Sequence, residues 1–338
     1  RVSKESVFSD LNNLNVVTST SLEYETSFGF TEEEVFTALD NMGMSEQKEI
    51  VKSWYDGFVF GNQKDIYNPW SITNYLDKKQ VRAYWADTSS NSLISRLIRK
   101  ASAGIKEQME ELLQGKEIIV NFDEQIVFEQ LDQDENAIWS LMLASGYLKA
   151  EQVEYRGLLR EPWYHLKITN LETTAMFTNL FKSWFNQSRT NYNQFIKALL
   201  QNDIDAMNYY MNQISMATFS YFDVDGVEGG KSEPERFYHG FVLGLIAEQT
   251  DIYEIRSNRE SGFGRYDVMM IPKKRDNCYP AVIIEFKVHN AIKEANLEAS
   301  VKAARKQIEE KNYDAELFAR GFCKEEILHY GFAFEGKK

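Results

Sequence analysis

Only two cysteines, Cys278 and Cys323, occur in 338 residues. That is too few, and they stand too far apart, for a disulfide framework or a structural zinc site. Long apolar runs are missing as well. None approaches the roughly 20 residues that cross a bilayer, so no membrane partner is expected. The chain opens on Arg1-Val2-Ser3-Lys4, with charge, no apolar signal-peptide core and no initiator Met. Those features suggest a piece of a longer protein, and the cytoplasm is the expected compartment. The pattern G-x-x-x-x-G-K-[ST] does not occur, so a phosphate-binding loop of that kind is excluded from this stretch of chain. A basic excess is lacking too: the net charge is −13. Its distribution qualifies that number. Residues 231–338 hold 18 basic and 18 acidic side chains, while residues 1–230 hold 20 and 33. A neutral C-terminal part can still turn a local basic face to phosphates, which the acidic part does not do by bulk electrostatics.

What is present is a folded-protein composition, 43% hydrophobic and 14% aromatic, enough for two domains and a sizeable core. Residues 1 to about 90 read as mostly helical. Thr31 and Glu34 form a capping box ahead of a helix from Val35 to Met42, and Asn68-Pro69-Trp70-Ser71 opens another through Tyr75. Residues 91–228 read as a mainly helical connector, with a strand pair at Tyr147–Tyr155 and Trp163–Ile168. The polar, Gly-rich segment Asp223 to Gly230 is the expected boundary. After it the order becomes regular. A helix is expected over 234–249, strands near 251–257, 265–272 and 280–288, a helix over 293–312 and a last strand over 327–334. The fold class is therefore α+β overall, helical first, with a compact α/β unit of order αβββαβ at 229–338.

Two of those strands carry charge where a buried strand should not. Strand alternation puts Glu285 and Lys287 of Ala281-Val282-Ile283-Ile284-Glu285-Phe286-Lys287-Val288 on one face, opposite Ile284, Phe286 and Val288. Asp267, in Arg265-Tyr266-Asp267-Val268, arrives from the neighbouring strand. Two carboxylates suit a hard divalent cation, and Lys287 suits positioning of a water or neutralisation of a phosphate. The bland readings are a solvent-facing Glu285/Lys287 pair or a structural Asp267–Lys287 ion pair. Glu235 has two open readings, completing the acidic site or acting as N3 of a capping box begun by Ser232. Gln307 falls on the apolar stripe of its helix with Leu297, Val301 and Ala304, where an amide needs a partner. His239 reads as a packing or supporting residue and Glu248 as exposed. Arg265, His289 and Lys273-Lys274-Arg275 are candidate phosphate contacts, although the triplet reads first as an exposed hairpin. Ser261-Gly262-Phe263-Gly264 reads as a turn.

At these residues the chain resembles the PD-(D/E)XK nuclease superfamily. The likeness rests on Glu235 with Phe237-Tyr238-His239, Gly264-Arg265-Tyr266-Asp267, Ile284-Glu285-Phe286-Lys287, Gln307-Ile308, Lys311-Asn312-Tyr313-Asp314 and Tyr330-Gly331-Phe332-Ala333-Phe334. Tyr266 stands where the superfamily's name has proline. More narrowly, the segment looks like the nuclease-like domain that bacteria fuse to an AAA-ATPase-like domain. Ser6 to Leu14, Phe28 to Val35, Tyr55-Asp56-Gly57-Phe58 and Tyr67 to Ile72 are similar to the end of that ATPase domain. The resemblance implies a restriction-endonuclease-like fold and a DNA substrate. It makes Asp267, Glu285 and Phe286 the metal-site positions for Mg²⁺ or Mn²⁺. Lys287 becomes the catalytic lysine, Glu235 the helix acid and Gln307 the helix amide. It implies a lid at residues 1–90 and an ATP-binding core before Arg1, so ATP concerns only the intact parent, and any oligomer is expected to form through the ATPase-like part. A catalytically silent module that binds nucleic acid or protein is the alternative.

Overall fold

The computed structural model describes residues 16–86, 91–124, 134–222, 232–261, 264–275, 279–289 and 294–335. The chain divides into two compact units, Arg1–Leu180 and Phe181–Lys338. The Gly-rich segment at 223–230 lies outside the described residues.

In the first unit the strand β1 (Phe30–Thr31) leads into the helix α1 (Glu32–Asn41), followed by α2 (Lys48–Tyr55). Thr31 caps α1 as expected: the Glu34 N–H donates to Thr31 Oγ1 at 3.3 Å, and the Thr31 N–H donates to the Glu34 carboxylate at 2.8 Å. Next comes a hairpin, β2 (Phe58–Phe60) and β3 (Gln63–Tyr67), within the region read from sequence as mostly helical. Its turn is the dipeptide Gly61-Asn62, with Gly61 at φ +57°, in the left-handed region that two-residue hairpins use. The helix α3 (Pro69–Lys78) starts with Asn68 accepting the Trp70 and Ser71 N–H groups. The three strands form a sheet ordered β1-β3-β2. Val35, Leu39, Val51, Tyr55, Ile72 and Tyr75 close the core beside it.

The helices α4 (Ser92–Lys100) and α5 (Ala103–Leu113) precede a short strand β4 (Ile118–Val120) and the helix α6 (Ala137–Ala144). The expected strand pair forms as β5 (Leu148–Arg156) and β6 (Glu161–Ile168). β4 adds to β6, so this region carries a three-stranded sheet as well as helices. A helix α7 (Leu171–Trp184) crosses the division between the units. Its Glu172, fully buried, accepts N–H groups from Tyr84 at 2.6 Å, Trp85 at 2.7 Å and Ala86 at 3.4 Å, and the Ser71 hydroxyl at 2.8 Å. One carboxylate thereby satisfies three loop donors that would otherwise be buried without partners.

The second unit continues with α8 (Arg189–Leu200), α9 (Ile204–Phe222) and α10 (Ser232–Gln249). The strands β7 (Tyr253–Ser261), β8 (Gly264–Pro272) and β9 (Ala281–Val288) follow. After them come α11 (Leu297–Glu310), a short α12 (Ala315–Ala319) and β10 (Ile327–Phe334). The sheet order is β10-β9-β8-β7, antiparallel except for the parallel β9/β10 pair. That pair needs a crossover, which α11 supplies. All five residues from Ala281 to Glu285 are buried, as expected for a central strand covered on both faces. Gly331 allows α11 to lie close on β10: a Cβ there would sit 2.9 Å from the Ala304 Cβ and 3.1 Å from the Val301 carbonyl oxygen. Among the described residues no helix is long and apolar enough to cross a membrane.

Candidate active site

The β8/β9 ladder pairs Met270 with Val282, Met269 with Ile283 and Val268 with Ile284. Carried one residue further, that register sets Asp267 opposite Glu285, and opposed residues of an antiparallel pair share a face. There a side chain takes over from the backbone ladder: Asp267 Oδ2 accepts the Phe286 N–H at 2.7 Å. Tyr238, on α10, fixes the other side of the same residue by donating its hydroxyl to the Asp267 carbonyl at 2.5 Å. The Phe286 ring points into an aromatic cluster with Tyr238, Phe241, Phe332 and Phe334. Only its backbone is therefore available to the carboxylate side.

Gln307 of α11 lies over this face and makes three contacts. Its Oε1 accepts from the Lys287 ammonium, and its Nε2 donates to Glu285 Oε1 and, at 3.0 Å, to the Tyr313 hydroxyl. The lysine on one side and the carboxylate on the other fix the amide's orientation, since only one assignment of O and N satisfies both. Lys287 also stands 3.7 Å from Glu285 Oε1. The bland reading of Glu285 and Lys287 as a solvent-facing pair does not hold, because Glu285 is 2% exposed.

The other carboxylate oxygen, Glu285 Oε2, is buried with no hydrogen-bond partner. Burial, reinforced by the facing Asp267, pushes the Glu285 carboxyl up to about 8, against the pull of Lys287. Burial also raises Asp267, opposed by the Phe286 N–H, Lys287 and His239. Two neighbouring acids, Glu285 buried and Asp267 half-buried, one with an unsatisfied oxygen, fit a hard divalent cation such as Mg²⁺ or Mn²⁺. The donor set is thus compatible with the metal implied by the sequence.

The remaining candidates sort by geometry. The side chains of Glu235 and Arg265 lie outside the described residues, as does the turn at Gly262-Phe263. His239 is buried and close enough to Asp267 to favour its charged form. Glu248, expected to be exposed, is half-buried with the Lys182 ammonium at 3.5 Å. His289 has one ring nitrogen committed within the protein. Its Nδ1 lies 2.9 Å from Ser300 Oγ, which donates to Glu294. Arg275 is likewise committed, to the Arg320 carbonyl, the Glu326 carboxylate and the face of Phe322, whereas Lys273 and Lys274 are exposed. Tyr313 stands in the resemblance motif Lys311-Asn312-Tyr313-Asp314, with no role in the site implied by it. It sits in the short segment between α11 and α12, where no periodicity marks it, and the half-buried amide at Gln307 hints at a missing partner.

Among the described residues, three acids bring ligand atoms within 4.8 Å of one another at Glu32, Asp56 and Asp65, in the first unit. Lys52 pairs with Glu32 and is drawn on by Asp65 and Asp56. Burial, then donation of a hydrogen bond from protonated Asp56 to Asp65, raises Asp56 to about 7, and Asp56 Oδ1 is buried with no hydrogen-bond partner. Lys52 offsets part of the negative charge of this cluster.

The PD-(D/E)XK nuclease superfamily signature matches residues 233–338. The C-terminal part of the chain thus carries a domain of that superfamily. The uncharacterized protein in the vnfD 5′ region of Azotobacter chroococcum mcd 1 is 26% identical over 175 residues. The match covers 52% of this chain and 31% of that protein, about a third of its length. No solved structure matches the chain.

Proposed function

We propose that the second unit is a divalent-metal-dependent nuclease that hydrolyses phosphodiester bonds of DNA. The observation that carries the reading is the buried, unpartnered Glu285 Oε2 beside Asp267. Asp267 and Glu285, with the backbone at Phe286, would hold Mg²⁺ or Mn²⁺. When bound, such an ion supplies a water acidified for attack and neutralises charge on the phosphate. The chain's own groups do the rest. Gln307 clamps Glu285 and Lys287 in one geometry, and Tyr313 steadies the amide that does it. Lys287, held beside Glu285 by Gln307, stabilises the negative charge that builds on the phosphate oxygens. Asp267 is held by the Phe286 N–H and leaves its other oxygen for the ion. The likeness of residues 1–90 to the lid of an AAA-ATPase-like domain supports an ATP-driven neighbour in the longer protein, with ATP bound only there.

The test uses the whole chain with Mg²⁺ or Mn²⁺ and single- and double-stranded DNA. Lys287→Ala is expected to lower cleavage by at least about 100-fold while leaving Mn²⁺ binding intact. A wild-type chain that binds Mn²⁺ yet cuts neither DNA form contradicts the nuclease reading and favours a silent binding module.

A further inference from the structure

Among the described residues strand β10 is one edge of its sheet, and its own sequence carries none of the charges or prolines that commonly blunt an edge. From Ile327 to Phe334 it contains no Lys, Arg, Asp, Glu or Pro. The opposite edge, β7, carries Glu254, Arg256, Arg259 and Glu260. His329, the one ionisable side chain of β10 apart from Tyr330, is committed to Asp314 at 2.6 Å.

The direction of the free groups follows from one hydrogen bond. Phe334 accepts the His289 N–H through its carbonyl at 2.8 Å, so the backbone polar groups of Phe334 face β9. Alternation then turns those of Phe332, Tyr330 and Leu328 inward as well. The N–H and C=O groups of His329, Gly331 and Ala333 point outward. They open on a groove of about 560 Å³ that runs the length of β10. One wall is α9, through Ile204, Met207, Asn208, Met211 and Asn212, and the other is α11, through Val301 and Arg305.

We propose that this groove receives an extended peptide segment of another protein, which adds to the sheet as a fifth strand beside β10. Outward backbone groups supply the pairing, as in other strand-addition sites. Ile204, Met207, Met211 and Val301 take apolar side chains of the incoming strand, and Asn208 and Asn212 take polar ones. Arg305 sets its charge: the guanidinium is exposed at the groove, no ion pair or hydrogen bond among the described residues uses it, and an acidic side chain complements it. A second copy of this chain is the poorer occupant. Its own β10 is recessed between the same two helices, so two such edges cannot approach to the roughly 4.8 Å that strand pairing needs.

The experiment uses the full chain and blocked heptapeptides that alternate Val with Thr and carry one Glu at each position in turn. Binding is followed by calorimetry and by residue-resolved hydrogen exchange. At least one peptide is expected to bind with Kd near or below about 100 µM and to protect the amides of His329, Gly331 and Ala333. Ala333→Pro removes an outer-edge donor without touching the β9 ladder, as proline at an edge permits. It is expected to weaken binding by about tenfold or more. Arg305→Glu, at an exposed position, is expected to reverse the preference toward peptides with Lys in place of Glu. The proposal is overturned if no peptide binds below about 1 mM, or if binding ignores both substitutions. It is also overturned if the three amides are protected without peptide, whether at all concentrations or increasingly as chain concentration rises. Protection by a DNA oligonucleotide rather than by peptide overturns it too. None of these readouts depends on DNA cleavage.

Discussion

Replacing Glu285 by Gln is expected to make the metal-free protein more stable at alkaline pH while removing its affinity for Mn²⁺. The wild-type carboxyl lies at about 8 in the fold against an ordinary 4.5, through burial and the nearby Asp267. The folded protein therefore keeps a proton that the unfolded chain releases, and stability falls as pH rises from about 4.5 to about 8, then levels off. At about 1.4 kcal/mol for each tenfold change in proton affinity, the ceiling is roughly 5 kcal/mol. Relaxation and screening around the site reduce the expected cost to about 2–3 kcal/mol. Gln cannot ionise, keeps an oxygen to accept from Gln307, and removes the repulsion from Asp267. Melting of the second unit in EDTA should therefore show little difference between wild type and Glu285→Gln at pH 5. At pH 8.5 the variant should melt about 5–10 °C higher. Saturating Mn²⁺ should raise only the wild type. A gap that is the same at both pH values, or a wild-type stability that does not fall with pH, refutes the reasoning.

Tyr313→Phe removes one partner of the Gln307 amide; cleavage kinetics should show kcat lower by about tenfold with KM little changed, at a stability cost near 1 kcal/mol. Gly331→Val should push α11 off β10 and cost about 1–3 kcal/mol in denaturant titrations, with loss of cleavage because Gln307 moves with the helix. Glu172→Ala strands three loop N–H groups and should destabilise the first unit by about 3–5 kcal/mol. Calorimetric Mn²⁺ affinity of the second unit should not change.

Much of the site was legible because its parts obey strong local periodicities. Strand alternation alone set Glu285 and Lys287 on one face, and helical periodicity set Gln307 on a buried stripe, where an amide must find partners. Asp267 needed the further step of strand register, which the flanking apolar residues fix once β8 and β9 pair. Tyr313 stands in one of the resemblance motifs, but its role was not legible, since it lies between helices and its contact depends on where the chain turns after α11. In the first unit the Gly61-Asn62 turn was a readable hairpin signal, yet the aromatic residues around it masked the alternation of β2 and β3. Glu172 shows the other limit. Its partners lie far away in sequence at Ser71 and Tyr84 to Ala86, and nothing local marks an acid on a helix face as the anchor of a remote loop. The division at Leu180–Phe181 falls inside α7, where composition gives no sign of it.

Crystals of the chain soaked in Mn²⁺ and measured for anomalous scattering test the central claim most directly. The expected result is a manganese peak bound by Asp267 and Glu285, with the Glu285 oxygen that now lacks a partner among its ligands. Full Mn²⁺ exposure with no peak there, or a peak only at Glu32, Asp56 and Asp65, would contradict the account.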